Sequence, residues 1–545
     1  MRSGRKRKTF LAALLFAAGM APSFLAAETP EKGTVVLKAV SGEETGLKKI
    51  MEDWAASELQ RQEGKYGSHG WWLWGLTAID LDNDGDPDLI PTHHGLPGGL
   101  ILKNQFKETG KLSFTNITKE LALDSRDISS AIGRKTLALD MNGDGFLDLI
   151  GIRAPHYLNE GGKKLIPKGT KGFNTLHAVT AEDVNGDGYP DIVENETVHI
   201  LDPATCSFKA QPRILPWEAK IPKDILGMVQ EKKKNVRFWG CWYETDSDLN
   251  NDDINDVVVC GIAGYNLNPV GRYFFADKEG NLTDKTAESG LPPEATPILF
   301  RDLNKDGAVD LLTAESATAG LYLNDGKGKF VLKPGKVTDF LKATGPYLHR
   351  AYPVDFDSDG DPDLLLYNPR LGSAVIFENA GNGEFVELQK ARGWDSDPVE
   401  ICDLNDDGLP DVAIGGPGNS ITLYINESKG GNFCNIYARM EKPNWAAAGA
   451  VVEVFKAGEL GKDGARAILR EKVRSDATPV HVGLGEAKRF DLRVTFPAAP
   501  GAAKRSLEIK GVEARPRLTV TPGGMTEEKV GASADPDPQF RPKPS

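Results

Sequence analysis

The stretch Asp80-Leu81-Asp82-Asn83-Asp84-Gly85-Asp86-Pro87-Asp88 limits the folds open to this chain more than any other, because its pattern recurs six more times. The later copies begin at Asp140, Asp183, Asp248, Asp302, Asp355 and Asp403. Every copy has Asp at position 1, Asp or Asn at 3, and Asp at 5 and 9. Oxygen side chains at those positions, with glycine at 6 for a sharp turn, are what a hard cation such as calcium asks of a short loop. The candidate ligands are Asp80, Asp82, Asp84 and Asp88; Asp140, Asn142, Asp144 and Asp148; Asp183, Asn185, Asp187 and Asp191; Asp248, Asn250, Asp252 and Asp256; Asp302, Asn304, Asp306 and Asp310; Asp355, Asp357, Asp359 and Asp363; and Asp403, Asn405, Asp407 and Asp411. Only the fourth copy departs from the glycine rule. There Asp253 takes the turn position, which predicts a distorted or weakly occupied loop.

The residues flanking each loop decide between calcium architectures. An EF-hand needs a bidentate glutamate at position 12, where the first copy has Pro91, and a helix on either side. Here the flanks are apolar runs such as Leu149-Ile150, Val257-Val258-Val259, Leu364-Leu365-Leu366 and Val412-Ala413-Ile414, which read as strands. Asn324-Asp325-Gly326 and Asn379-Ala380-Gly381 punctuate the units as hairpin turns. Loop starts lie 60, 43, 65, 54, 53 and 48 residues apart, in the range of propeller blades or other stacked units. Dockerins, with paired loops each followed by a helix, and thrombospondin-type repeats, with back-to-back loops and disulfides, fit neither spacing nor flanks. A cation-free reading, in which Asp and Gly simply make turns, leaves the aspartate at position 9 without a purpose. One small sheet cannot bury both its faces, so such sheets must stack, and a ring leaves the fewest open edges. The expected fold is all-β: a seven-bladed β-propeller with calcium loops in its blades, followed by a small β-domain.

The units resemble the FG-GAP or VCBS repeats of integrin-α-like propellers. Gly151-Ile152-Arg153-Ala154-Pro155 and Gly415-Gly416-Pro417 are worn versions of the signature that names them. The resemblance spans roughly Gly70 to Asn426 and implies calcium bound within blades. Beyond Asn426 the repeat stops. Runs at Ala448–Phe455, Pro479–Gly485 and Phe490–Pro497 alternate as strands of a second β-domain over 429–522. Gly483-Leu484-Gly485 and Val494-Thr495-Phe496-Pro497 are similar to the ASPIC/UnbV domain of exported bacterial proteins and the cartilage acidic protein group. That resemblance implies localisation and architecture but no chemistry.

The chain opens with Arg2, Arg5, Lys6, Arg7 and Lys8, an apolar run Phe10–Ala18 and small residues to Ala27, the pattern of a secretory signal cleaved between 23 and 27. A periplasmic, cell-surface or secreted protein is expected, monomeric and without a membrane span after cleavage. In the segment 28–69, Thr34–Val40 reads as a strand able to close the ring against the last blade, and Leu47–Gln62 as a packed helix. Residues 523–545 have the composition of a disordered tail. The net charge of −13 argues against nucleic acid as a partner, and seven divalent cations would nearly cancel it. Five cysteines are too few and too odd a set for a disulfide framework; Cys241 and Cys260 flank the fourth loop and read equally as a pair or as buried free thiols.

The chain holds no Gly-x-Ser-x-Gly elbow, no His-Glu-x-x-His, no Cys-x-x-Cys-His and no phosphate-cradling glycine loop. His69, His93 and His94 read as a metal or base cluster at the ring's mouth, or as surface histidines; spacing identifies no carboxylate partner, which favours the second reading. Trp71, Trp72, Trp74, Trp239 and Trp242 read as a carbohydrate-stacking surface or, more commonly, as packing between blades. The functional expectation is a calcium-binding module or adhesion protein with a protein or glycan ligand. The alternative is a secreted hydrolase, lyase or oxidoreductase built on the same scaffold.

Overall fold

A computed structural model describes residues 35–61, 73–93, 99–123, 136–150, 155–168, 179–194, 197–212, 242–244, 247–261, 270–292, 296–314, 318–344, 350–368, 373–392, 399–416, 420–498 and 505–527. The signal reading, the tail beyond 527, and the side chains of the histidine and tryptophan clusters lie outside these residues, as does the Cys241 and Cys260 pairing. Residues 524–527, expected in the disordered tail, instead form a strand paired with Arg517–Thr521, because alternating Leu518 and Val520 offer a sheet edge for the chain to turn back on. Cys206, Cys402 and Cys434 are free thiols. None of the described helices is long and apolar enough to cross a membrane.

The architecture is all-β, with nine four-stranded sheets among the described residues. Seven of them fall within residues 37–426, and each is an antiparallel meander with one aspartate loop between its first two strands. In the first sheet these strands are Leu73–Ile79, Asp88–His93, Leu102–Asn104 and Phe114–Asn116. The seventh is composite. Its strands Val399–Cys402, Asp411–Gly415 and Ile421–Asn426 are completed by Leu37–Val40 from the start of the chain, with Leu37 opposite Asn426 and Val40 opposite Leu423. The helix Leu47–Arg61 buries Leu47, Met51 and Trp54 in one apolar cluster with Leu76 and Leu102 of the first sheet and Leu404 and Leu423 of the seventh. First and last sheets therefore share a core, and the series returns on itself at that seam.

Sheets are also tied by a repeated polar contact. The third strand of five sheets ends on a buried asparagine, whose side-chain amide donates to the backbone carbonyl at loop position 2 of the preceding sheet. Asn159 reaches Leu81 (2.7 Å), Asn324 reaches Leu249 (2.8 Å), Asn379 reaches Leu303 (2.9 Å), Asn426 reaches Phe356 (2.8 Å) and Asn104 reaches Leu404 (2.9 Å). The last of these crosses the seam between first and seventh sheets.

Residues 432–527 make the other two sheets. One, ordered Val480–Gly485, Asn432–Ala438, Arg517–Thr521, Gly524–Glu527, has a parallel pair at its centre. The other is ordered Leu469–Lys472, Val451–Lys456, Arg489–Phe496, Arg505–Glu513. They face each other over a core that includes Ile436, Val452, Val454, Val482, Phe490, Leu492 and Val520.

Asn104→Ala should cost about 2–4 kcal/mol, since it strands a buried carbonyl at Leu404 and the Phe106 N–H that Asn104 Oδ1 accepts. A lowered urea midpoint with unchanged slope checks this against exposed Lys163→Ala, which should leave the midpoint in place.

Candidate metal centres

The seven loops share one hydrogen-bond plan. The position-9 aspartate is at most 1% exposed in every copy. One of its oxygens accepts the N–H of loop position 2 at 2.7–3.3 Å. Its other oxygen accepts an N–H from the third strand at 2.7–3.1 Å. This carboxylate thus joins loop, second strand and third strand. Position 1 accepts the N–H of position 6 at 2.6–3.0 Å. Position 5 accepts the N–H of position 7 at 2.7–2.9 Å. The remaining oxygens belong to positions 1, 3 and 5, and in most copies they accept further N–H groups of the turn or the position-3 amide.

Several of those oxygens are buried without any partner: Asp302 Oδ1 and Asp355 Oδ1 at position 1, and Asp82 Oδ1, Asp357 Oδ2 and Asn405 Oδ1 at position 3. A buried carboxylate oxygen with nothing to accept from is costly unless a cation meets it. In two loops the ligand atoms of three aspartates lie within 4.8 Å of one another, Asp80, Asp82 and Asp84 in the first and Asp355, Asp357 and Asp363 in the sixth. These donors fit a hard divalent cation, which positions 1, 3 and 5 would hold in the first loop and positions 1, 3 and 9 in the sixth.

Burial sets the electrostatics. It pushes Asp148 and Asp411 up to about 8 and Asp310 to about 7. Asp80 rises to about 7, first from burial and then from the charges of Asp84 and Asp82, and Asp355 is raised well above the carboxylate range for the same reasons, with Asp359 and Asp357 as its neighbours. Without a cation, the folded chain holds protons that the unfolded chain has already lost.

The fourth loop is not distorted. Asp253 sits at φ 68°, against 84° to 97° for the glycines at that position, and its N–H still donates to Asp248 at 2.6 Å. The left-handed conformation is imposed by the loop, and the side chain is carried there at a strain.

The five asparagine ties went unread in the sequence as such. Their signal is a buried-strand Asn 11 to 16 residues beyond the position-9 aspartate. Also unread were the charged neighbours of the cups. Lys103 Nζ lies between Asp82, Asp84 and Glu108, and its pKa is raised because those three hydrogen bonds outweigh the opposing effect of burial.

The C-terminal β-domain rests on this loop face. Arg466 donates to the turn carbonyl of Gly307 (2.9 Å), Asn435 to that of Gly408 (2.8 Å), Gly485 N–H to Ser358 O (2.9 Å) and Gly431 N–H to Asp357 O (3.0 Å), while Lys442 bonds Asp144 O. Backbone approaches so closely that a Cβ on Gly483 would lie 1.7 Å from Asp355 Oδ2. A strap after Arg466 reaches further toward the centre. Ser475 donates to Ala138 O (2.8 Å), Lys472 pairs with Glu182 (2.7 Å) and Glu471 with Arg301 (3.0 Å). Asp476 above all raises the pKa of Arg474 against the effect of burial, and Glu400 adds to it. A cavity of about 1230 Å³ lies between strap and inner strands, its walls including Phe300, Tyr352, Glu400, Tyr437, Trp445 and Arg474.

Fold and loops define an all-β repeat protein with aspartate-lined cups. Residues 140–194 and 302–366 match the FG-GAP-like repeat family, so the chain carries FG-GAP-like repeats. No curated protein matches the chain. Similar solved structures include an Agrocybe aegerita lectin, studied for specific recognition of non-reducing terminal N-acetylglucosamine. It is 18% identical, with 61% of this chain and 83% of that one covered at a TM-score of 0.36. The Tc holotoxin pore of Photorhabdus luminescens is 14% identical over 79% of this chain and 19% of that one, at a TM-score of 0.28. A periplasmic gluconolactonase of Pseudomonas aeruginosa is 11% identical over 70% and 96%, at a TM-score of 0.25.

Two outcomes are expected. In chelator, stability should rise as pH falls from about 8 toward 4, because carboxyls whose folded pKa is raised favour the folded state when protonated; with excess calcium the slope should reverse, as protons compete with the ion. Melting curves across pH in both buffers test the sign. Asp253→Gly should stabilise the chain by about 1 kcal/mol by relieving the left-handed strain, read as a melting-temperature rise of a degree or more.

Proposed function

We propose that this chain is an exported, calcium-stabilised, seven-bladed β-propeller that acts as a binding module for a protein or glycan, with an ASPIC/UnbV-like β-domain seated on its calcium loops. The observation that carries the reading is the set of buried, partnerless oxygens in the cups, directly beneath the second domain. Cations that fix the loop turns would also fix the carbonyls to which Arg466, Asn435, Gly431 and Gly485 attach. Calcium would then hold both the blades and the seat of the C-terminal domain.

The ligand reading rests on the cavity. Aromatic side chains (Phe300, Tyr352) beside charged groups (Glu400, Arg474) suit a sugar ring or an extended peptide end, in a space of about 1230 Å³ that is too small for a folded partner, while the rings of Tyr437 and Trp445 carry the Arg439 and Arg517 guanidinium groups. The reading is tested by screening the mature protein against glycan and peptide arrays in calcium and in chelator. Binding that needs calcium supports it, and a chain that binds in neither buffer counts against it.

At about 2 mM calcium and a Kd of about 10⁻⁴ M per loop, each filled loop should add roughly 1.8 kcal/mol. Chelation should therefore lower the melting temperature by many degrees. It should also open the segment near residue 430 to trypsin before the blades are cut. A melting curve indifferent to chelator would remove calcium from the account.

A further inference from the structure

Two of the seven loops carry aspartate at position 3 instead of asparagine, the first with Asp82 and the sixth with Asp357. In the other five, the Asn side chain donates to the position-5 aspartate at 2.9–3.0 Å, so part of the negative charge is satisfied internally. The first and sixth loops lack that bond, and in both three aspartates converge within 4.8 Å. Their need for a positive charge is greater than that of the rest.

In the first cup that need is met from the third strand. The residue before the tie asparagine is Leu158, Leu323, Glu378 or Ile425 in four sheets and Lys103 in the first. Lys103 is 18% exposed at its side chain. Its ammonium lies 2.8 Å from Asp84 Oδ2 and 2.8 Å from Glu108 Oε1, and is bonded to Asp82 as well. Glu108 belongs to the short helix Phe106–Thr109 that follows the strand, and its carboxylate also lies within 4.8 Å of Asp84 and Asp86.

We propose that Lys103 is the resident cation of the loop Asp80–Asp88, so that this cup is closed by the protein's own ammonium and takes no calcium. A divalent ion entering it would have to share Asp82 and Asp84 with an ammonium already on them, and like charges at that distance repel. The first sheet, at the seam where the series returns on itself, would thereby keep its loop formed when calcium is scarce. The proposal rests on the calcium reading only for the count of ions bound; the ammonium's role stands apart from it.

The test compares mature wild type and Lys103→Met, using calcium itself as the probe. Bound calcium per chain is measured by elemental analysis after dialysis, affinities by titration calorimetry, and melting in chelator and in calcium. Lys103→Met should bind one more calcium ion per chain than wild type. It should melt several degrees lower than wild type in chelator and recover that loss in calcium. Equal stoichiometry together with equal melting in chelator for Lys103→Met and wild type would overturn the proposal. If wild type binds no calcium but Lys103→Met is still destabilised in chelator, the calcium reading falls and the ammonium's role survives.

Discussion

A buried carboxylate with both oxygens taken by backbone N–H groups is the contact on which the remaining structure depends. The position-9 aspartate does this in all seven loops, joining the second residue of the loop to the third strand. Two charge-assisted bonds fix the angle at which the loop leaves the sheet. They also fix the carbonyl at position 2, which the next sheet's asparagine then reads. One side chain thus sets a cup within a sheet and the spacing between sheets. Its burial is costly by itself, and the same burial raises the pKa of Asp148 and Asp411 to about 8. The fold therefore buries a carboxyl at seven places and holds each one by two backbone N–H groups.

The loops and their flanking strands were legible in the sequence, for a physical reason, whereas the position-9 aspartate was read there as a cation ligand and its hold on two backbone N–H groups was not seen. Loop chemistry is local: four oxygens and a turn within nine residues need no knowledge of the fold, and the apolar runs on either side announce strands by composition. The hairpins at Asn324 and Asn379 were legible on the same grounds and are observed, with Asn324 opposite Phe330 and Asn379 opposite Phe385. What those asparagines do with their side chains was not legible. Their acceptors lie 75 and 76 residues away, on the preceding sheet. Lys103 was hidden similarly, since a lysine 21 residues from Asp82 acquires its meaning only when the third strand folds back over the loop. The glycines of Gly483-Leu484-Gly485 carried a family resemblance in the sequence. Their reason is the lack of room between Gly483 and Asp355.

The regular plan also shows where it is relaxed. The third and fourth sheets have Leu201 and Ala276 where the others have the tie asparagine, although the backbone N–H of each still reaches its position-9 aspartate. Val184, at position 2 of the third loop, is 38% exposed, while its counterparts Leu81, Met141, Leu249, Leu303, Phe356 and Leu404 are at most 1% exposed. The turn glycine is replaced by Asp253 in the fourth loop. These departures sit next to each other in the series, so the intra-sheet brace is kept everywhere and the inter-sheet tie is dropped in one sector.

That distribution matters for how a series of small sheets stays closed. Each tie lost between neighbours lowers the cost of parting them, and a repeat array opens where its interfaces are weakest. The seam between first and last sheets has no covalent continuity and would be the natural place to open. It is instead the most heavily fastened. Leu37–Val40 completes the seventh sheet, Asn104 reaches Leu404, the helix Leu47–Arg61 covers both sheets, and Lys107 pairs with Asp406 across the loops. Among the described residues the asparagine tie is missing at the third and fourth sheets, where the chain is continuous and a parted interface is held by its own backbone. Strong fastening at the seam and slack where the chain itself prevents loss is the arrangement that keeps the series closed with the fewest ties.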